Sequence, residues 1–412
     1  MEKFNSFITE QKNTHMTHIE DKVIYGGVKG TRDAILALRE LRDMLKGEHD
    51  GSVSVKWDGA PAVFAGIDPS DGKFFVAKKG IFNKNPKVYK TAADVEADTS
   101  GDLADKLKLA LRYLPELGIK GVIQGDFLYG PGDVTKKKIK GEEYITFHPN
   151  TIVYAVPVNS QAAKAITSSK IGIVWHTSYS GPSGGDFNSL KASYGVNVAA
   201  LKKSKNVWSQ DAMLRDLTNL TMTKKETEQV NEYLTQAGKL FNQVAGSTLR
   251  QLEANQDLAG LIETYNNSFV RKGEIIGDTN RHVTGLINWI KARYQKEADK
   301  RKTDKGKKAQ SDKLNAILSF FDSKNKSSLK KIFDLQKVIV LAKLKLINTL
   351  NKLSSVKTFV QTRNGYKVTG TEGYVAIDKI GGDAVKIVDR MEFSYNNFSP
   401  DILKGWDKPT RK

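Results

Sequence analysis

The order of apolar patterns along the chain predicts an α+β fold, with a β-rich part, a long helical stretch and a return to strands. Three observations carry this. Up to about residue 187, short alternating apolar runs are separated by Gly, Pro, Asn and Asp. From about 189 to 355 the alternation gives way to helical periodicity. From Thr358 onward short runs punctuated by glycine come back. A chain of 412 residues has room for two or three domains. The simplest topology is one domain of antiparallel sheets with helices, interrupted by a large all-α insertion whose flanks complete one sheet system. The expected divisions are an N-terminal helical segment (1–50), the first part of the β-rich domain (51–187), the basic helical insertion (188–356) and the second part of the β-rich domain (357–412).

In chain order, Val23 to Gly30 reads as a Gly-rich turn. It lacks the Gly-Lys-Ser/Thr ending of a phosphate-binding loop, and Thr31 reads as the N-cap of a helix over 32–46. Ser54-Val55-Lys56-Trp57-Asp58-Gly59 alternates up to a lone lysine, turns at Asp-Gly and returns through Ala62-Val63-Phe64-Ala65. A lysine at the lip of such a turn is either an ordinary hairpin lysine or, if desolvated, a nucleophile. Residues 73–82 read as a strand ending in Lys78-Lys79-Gly80, and 100–117 as a helix. Gly121 to Tyr129 is an apolar strand carrying one acid, Asp126, which is either a strand-end surface acid or a site residue. Strands are expected over 151–158 and 170–177, then a Gly/Ser-rich break over 179–187. Helices are expected over 210–220, 224–243, 247–265, 280–302, 311–321 and 329–353. Leu341 to Leu346 reads as core packing. Short strands close the chain, with Gly381-Gly382 as a turn.

The chain has no cysteine, so disulfides and thiolate metal sites are excluded. Its six histidines show no zinc-site spacing, and no apolar run reaches bilayer length. A cytoplasmic protein without a membrane partner is expected. Lysine and arginine number 65 against 46 acids, a net charge of +19, which points to a polyanionic partner, nucleic acid first. The excess is densest around 292–345. There Arg293, Lys296, Lys300, Arg301 and Lys302 are candidates for phosphate-backbone contact, or simply a solvated face.

Four stretches recur in a telling order: Lys56-Trp57-Asp58-Gly59, Gly125-Asp126-Phe127, Glu372-Gly373-Tyr374-Val375 and Ala384-Val385-Lys386-Ile387. The set resembles the covalent nucleotidyltransferases, the superfamily of ATP-dependent polynucleotide ligases and mRNA-capping enzymes. Ala77-Lys78-Lys79-Gly80, Gly125 to Gly132 and Glu372-Gly373-Tyr374-Val375 draw the likeness toward phage-type RNA ligases. The resemblance spans roughly 51–177 and 358–397.

That resemblance implies a ligase-type nucleotidyltransferase domain using ATP and Mg²⁺. Lys56 would be the nucleophile that becomes lysyl-AMP, and Asp58 would hold the turn or orient it. Asp126 and Glu372 would serve the metal and its waters, or the ribose. Lys386, Lys79 and, less directly, Lys78 would stabilise charge on the α-phosphate, and Tyr154 would stack on the base. RNA is the expected acceptor ahead of DNA. Capping with GMP, modification of a protein, or a degenerate nucleic-acid-binding or virion protein are the alternatives. One departure stands out: the family commonly reads Lys-x-Lys in its last motif, and Val388 occupies the second lysine's place here. Arg390 is the candidate substitute.

Overall fold

A computed structural model of the chain describes residues 17–47, 52–182, 186–214, 222–352, 356–377 and 384–407. The alternating stretches form three sheets. In the first, β12 (Met213–Leu214), β1 (Ser52–Lys56), β15 (Gly373–Ile377) and β16 (Ala384–Ile387) run in that spatial order, all antiparallel. The second follows the order β10 (Lys191–Tyr194), β9 (Ile171–Ser180), β5 (Val122–Tyr129), β2 (Ala62–Ile67), β3 (Phe74–Ala77) and β4 (Val88–Tyr89). Here β11 (Val207–Asp211) adds a parallel pairing, on β9. The third runs β14 (Gly365–Val368), β13 (Lys357–Thr362), β8 (Ile152–Pro157), β7 (Glu142–Phe147) and β6 (Thr135–Ile139), with β17 (Ile402–Leu403) also on β13. Strands from 357–403 therefore pair with strands from 52–157 in two of the three sheets.

The first sheet lies on the helices. Its back face carries Val53, Tyr374, Val385 and Ile387. These share one core with α1 (Gly27–Leu45), α3 (Lys224–Gln243), α4 (Gly246–Ala254), α5 (Gln256–Lys272), α6 (Thr279–Asp299), α7 (Asp304–Leu318) and α8 (Ser323–Asn351). A second core packs α2 (Gly101–Tyr113) on β2, β5 and β9. The N-terminal helix is thus part of the helical core rather than a separate segment. Its apolar stripe finds its partners in helices from Lys224–Gln243 onward.

Local expectations need correction at four places. The glycines 26, 27 and 30 do not form a turn that Thr31 caps. The helix starts at Gly27, and the Thr31 hydroxyl donates back to the Gly27 carbonyl at 2.7 Å. Gly30 lets the preceding turn approach, since a Cβ there would stand 2.4 Å from the Lys22 carbonyl oxygen. Strand structure does not end at residue 187, because β10, β11 and β12 return to the sheets. β10 and β12 are exposed or half-buried edges, so they need no apolar alternation. The helix expected over 210–220 is strand at Val207–Asp211 and Met213–Leu214, and residues 215–221 lie outside the described residues, as does the Gly381-Gly382 turn. The strand over 73–82 ends at Ala77, and Lys79–Phe82 is a 3₁₀ turn.

Candidate functional site

Pairing register assembles the site on the front of the first sheet. Lys56 lies opposite Gly373, and Lys386 lies opposite Val375 on the other side of the same strand. Residues 373 and 375 share a face by two-residue alternation, so both lysines rise from that face. Glu372, immediately before β15, closes an ion pair with Lys56; the lysine side chain is 34% exposed and the carboxylate 12%. Burial raises Glu372 above the usual carboxylate range, with Lys56 pulling the other way and Asp58 adding to the rise. Burial lowers Lys386, and the charge of Lys56 lowers it further. Its ammonium also stands 5.6 Å from the ring centre of Phe393.

Asp126 comes from the second sheet, opposite Ala62 on β2. Gly59 makes this approach possible, because a Cβ there would sit 2.5 Å from Cβ of Asp126. Burial pushes Asp126 up to about 7; Lys56 opposes this, Glu372 and Asp58 reinforce it, and Lys79 is also within electrostatic reach. His176, which the sequence reading missed, has Nε2 3.8 Å from Asp126 Oδ2. Burial, with Lys56 adding to it, holds His176 down to about 4, so it is neutral near pH 7. The signal was present: His176 closes the apolar run Ile171 to Trp175 on β9, as Asp126 interrupts the apolar run of β5.

Asp58 holds the turn. Its carboxylate accepts from Asn150 Nδ2 at 2.7 Å and from the backbone N–H groups of Thr151 and Ile152 at 2.7 and 2.9 Å. Its own N–H donates to the Tyr154 hydroxyl at 2.6 Å. Tyr154 is therefore corrected from a base-stacking residue to a core one. It is 1% exposed, and its ring stacks on Trp57 and Phe147 with centroids 4.7 and 5.3 Å away, so no face remains for a purine.

Two further cations are committed elsewhere. Lys78 reaches Asp98 Oδ2 at 3.0 Å and lies 5.8 Å from the Tyr89 ring centre, because the strand has already ended. Arg390 donates to Asp21 Oδ2 at 2.8 Å and to Asn267 Oδ1, so it does not replace the second lysine; Val388 is buried there. Beside Arg390 lies a buried pair that the sequence reading had passed over as core packing, Lys343 with Glu20 at 2.7 Å. Burial pushes Glu20 up, but Lys343 and Arg390 more than offset it and the carboxylate is held low. This cluster fastens the N-terminal segment beneath β16, where the His18 backbone bridges to Lys386.

The basic residues of the helical part stand apart from this group of side chains. Arg293 and Lys296 are exposed on α6, which packs on α5, α7 and α8, and Lys300, Arg301 and Lys302 follow it. The Arg293 guanidinium stands 5.4 Å from the Trp289 ring centre, and Lys300 pairs with Glu297 at 2.7 Å.

Among the described residues no three His, Asp or Glu side chains gather closely enough to hold a metal by themselves. Asp126 and Glu372 suit a different role. Mg²⁺ keeps several waters and takes one or two carboxylates together with substrate phosphates. A half-buried Asp126 whose charge burial and two neighbouring acids disfavour has the chemistry of such a donor.

Residues 13–401 match a family described as "Family of unknown function (DUF6267)". No curated protein and no solved structure matches the chain.

Proposed function

We propose that this chain, which belongs to the DUF6267 family of unknown function, is an ATP-dependent nucleotidyltransferase of the polynucleotide-ligase type, joining RNA in preference to DNA. The observation that carries the reading is the Lys56–Glu372 ion pair, with Lys386 on the same sheet face and Asp126 facing it.

The chemistry follows from those groups. Attack on an α-phosphorus needs the free amine of Lys56, so its ammonium must lose a proton. Glu372 is already in contact, and its raised pKa suits it to receive that proton. A nitrogen–phosphorus bond then forms as the bond to pyrophosphate breaks, leaving AMP on Lys56. Lys386 and Lys79 would meet charge developing on the phosphoryl oxygens. Asp126 would hold Mg²⁺, which when bound would supply neutralisation of the triphosphate charge, and Glu372 would be free to join it only after Lys56 is nucleotidylated and pyrophosphate has left. AMP would then pass to a 5′-phosphate, and a 3′-hydroxyl would displace it. The exposed cations Arg293, Lys296, Lys300, Arg301 and Lys302 would hold the polynucleotide backbone.

A second reading is favoured by one specific observation. Val388 is buried where a second phosphate-binding lysine is expected, and Arg390 is spent on Asp21. On that reading the fold binds nucleic acid without joining it. Incubation with ATP, Mg²⁺ and 5′-phosphorylated RNA or DNA separates the two. Joined product that is absent with Lys56→Ala supports the ligase; binding without joining, by a folded protein, supports the second reading.

A further inference from the structure

The large apolar side chains left exposed are not scattered evenly. Among the described residues, Val368, Tyr395, Phe398 and Trp406 all fall in the last two described stretches, and Phe398 and Trp406 are 67% and 61% exposed. Tyr395 and Phe398 are three apart on α9 (Arg390–Phe398), so they share one side of that helix. Trp406 follows β17, which the Lys404 ammonium ties to α9 through the Asn396 carbonyl at 2.9 Å. The Lys367 ammonium stands 4.7 Å from the Tyr395 ring centre. Arg363 and Lys367 are exposed, and among the described residues neither is in an ion pair. The acids nearby in sequence are Asp389 and Glu392, which accept from the first turn of α9 and from Thr369 and Gly370, and Asp401 and Asp407; the Asp407 carboxylate accepts from the Lys404 backbone N–H at 2.8 Å.

The opposite side of α9 backs the site. The helix starts three residues after the end of β16, the strand of Lys386, and the Lys386 ammonium stands over the ring of Phe393. The Asn397 side-chain oxygen Oδ1 accepts from the Thr151 hydroxyl at 3.2 Å, and the Thr151 N–H in turn donates to Asp58. A ligand on the outer rings of α9 is thus brought to the edge of the Lys56 site.

We propose that Tyr395, Phe398 and Trp406, with Arg363 and Lys367, form a docking strip for single-stranded nucleic acid next to the Lys56 site. Exposed ring faces accept bases of any sequence, and unpaired cations between them take the phosphates; this combination distinguishes a single-strand platform from an apolar protein interface. The proposal deepens the ligase reading and rests on it for the direction in which the strand is delivered.

The test is fluorescence anisotropy with short labelled oligouridylate, oligothymidylate and a blunt duplex, at two salt concentrations. The proteins are the wild type, Tyr395→Ala/Phe398→Ala/Trp406→Ala, Lys367→Gln and Lys56→Ala. The triple variant should bind both single strands at least about tenfold more weakly while wild-type duplex binding is already weak. Lys367→Gln should shrink the salt dependence. Tighter binding to oligouridylate than to oligothymidylate would assign the strip to RNA, and the reverse to DNA. Circular dichroism and nucleotide-adduct formation should be unchanged in the triple variant, showing an intact fold and site. Lys56→Ala should bind like the wild type, so failure of the ligase chemistry leaves this outcome readable. Unchanged single-strand binding by the triple variant would overturn the proposal. So would a wild type that self-associates through the strip, seen as a dimer by sedimentation that the triple variant loses.

Discussion

Lys56 and Lys386 rise from one face of the same four-stranded sheet, on strands separated only by β15, and Glu372 at the head of β15 pairs with Lys56. The two amines are thus fixed by backbone pairing, and the carboxylate stands one residue before the strand that lies between them. Removing the carboxylate's ability to take a proton while keeping its shape should isolate its role. Glu372→Gln should slow formation of a nucleotide adduct by about a hundredfold or more at neutral pH without unfolding the protein. An unaltered rate would remove Glu372 from the reaction.

Tyr154 gives the complementary test, because its hydroxyl accepts from the Asp58 N–H and its faces are covered. Tyr154→Phe should leave a buried N–H without a partner and cost about 1–3 kcal/mol in denaturant unfolding. Affinity for ATP should not change. A large loss of ATP affinity at full stability would mean that the Tyr154 hydroxyl contacts the nucleotide.

The pair of Lys343 and Glu20 is buried, the lysine only 1% exposed. Lys343→Ala should strand the Glu20 carboxylate and destabilise the protein by about 3–5 kcal/mol. Arg390 softens this loss, since it lies 3.6 Å from the same carboxylate. A loss below about 1 kcal/mol, read from urea unfolding, would mean that the pair does not fasten the N-terminal segment.

Acid stability should depend on His282, which burial holds down to about 4. Its Nε2 bonds Asn266 Oδ1 at 2.8 Å, and its ring packs on Tyr265, Phe269 and Phe333. The unfolded chain binds the proton near pH 6.5 and the folded one near 4, so in this window the unfolded state carries more protons. Stability therefore falls as pH drops from about 6.5 to about 4, by roughly 2–3 kcal/mol from this group. His282→Leu should flatten that part of the unfolding-versus-pH curve, and an unchanged slope would place the acid sensitivity elsewhere.

The sequence was legible where one residue's chemistry conflicts with its neighbourhood. A lysine ending an alternating strand and an acid inside an apolar run marked Lys56 and Asp126, and both reach the same group. Asp58 is expected to hold the turn or orient Lys56, and its carboxylate accepts three hydrogen bonds from Asn150, Thr151 and Ile152. The long helices over 224–243 and 329–353 were visible because their stripes are wide and continuous. What sequence could not show was pairing at a distance. Arg390 lies next to Lys386 in sequence yet is drawn to Asp21, and Lys343 is paired by Glu20 from the other end of the chain. Tyr154 fits a base-stacking pattern as well as a core pattern, and only the positions of Trp57 and Phe147 decide between them.

The most direct test of the central claim is intact mass after incubation with Mg²⁺ and each of ATP, GTP and NAD⁺, run beside Lys56→Ala. A gain of one AMP from ATP is expected, absent in the Lys56→Ala protein. A folded wild-type protein that gains no nucleotide from any donor, or a Lys56→Ala protein that still gains one, would contradict it.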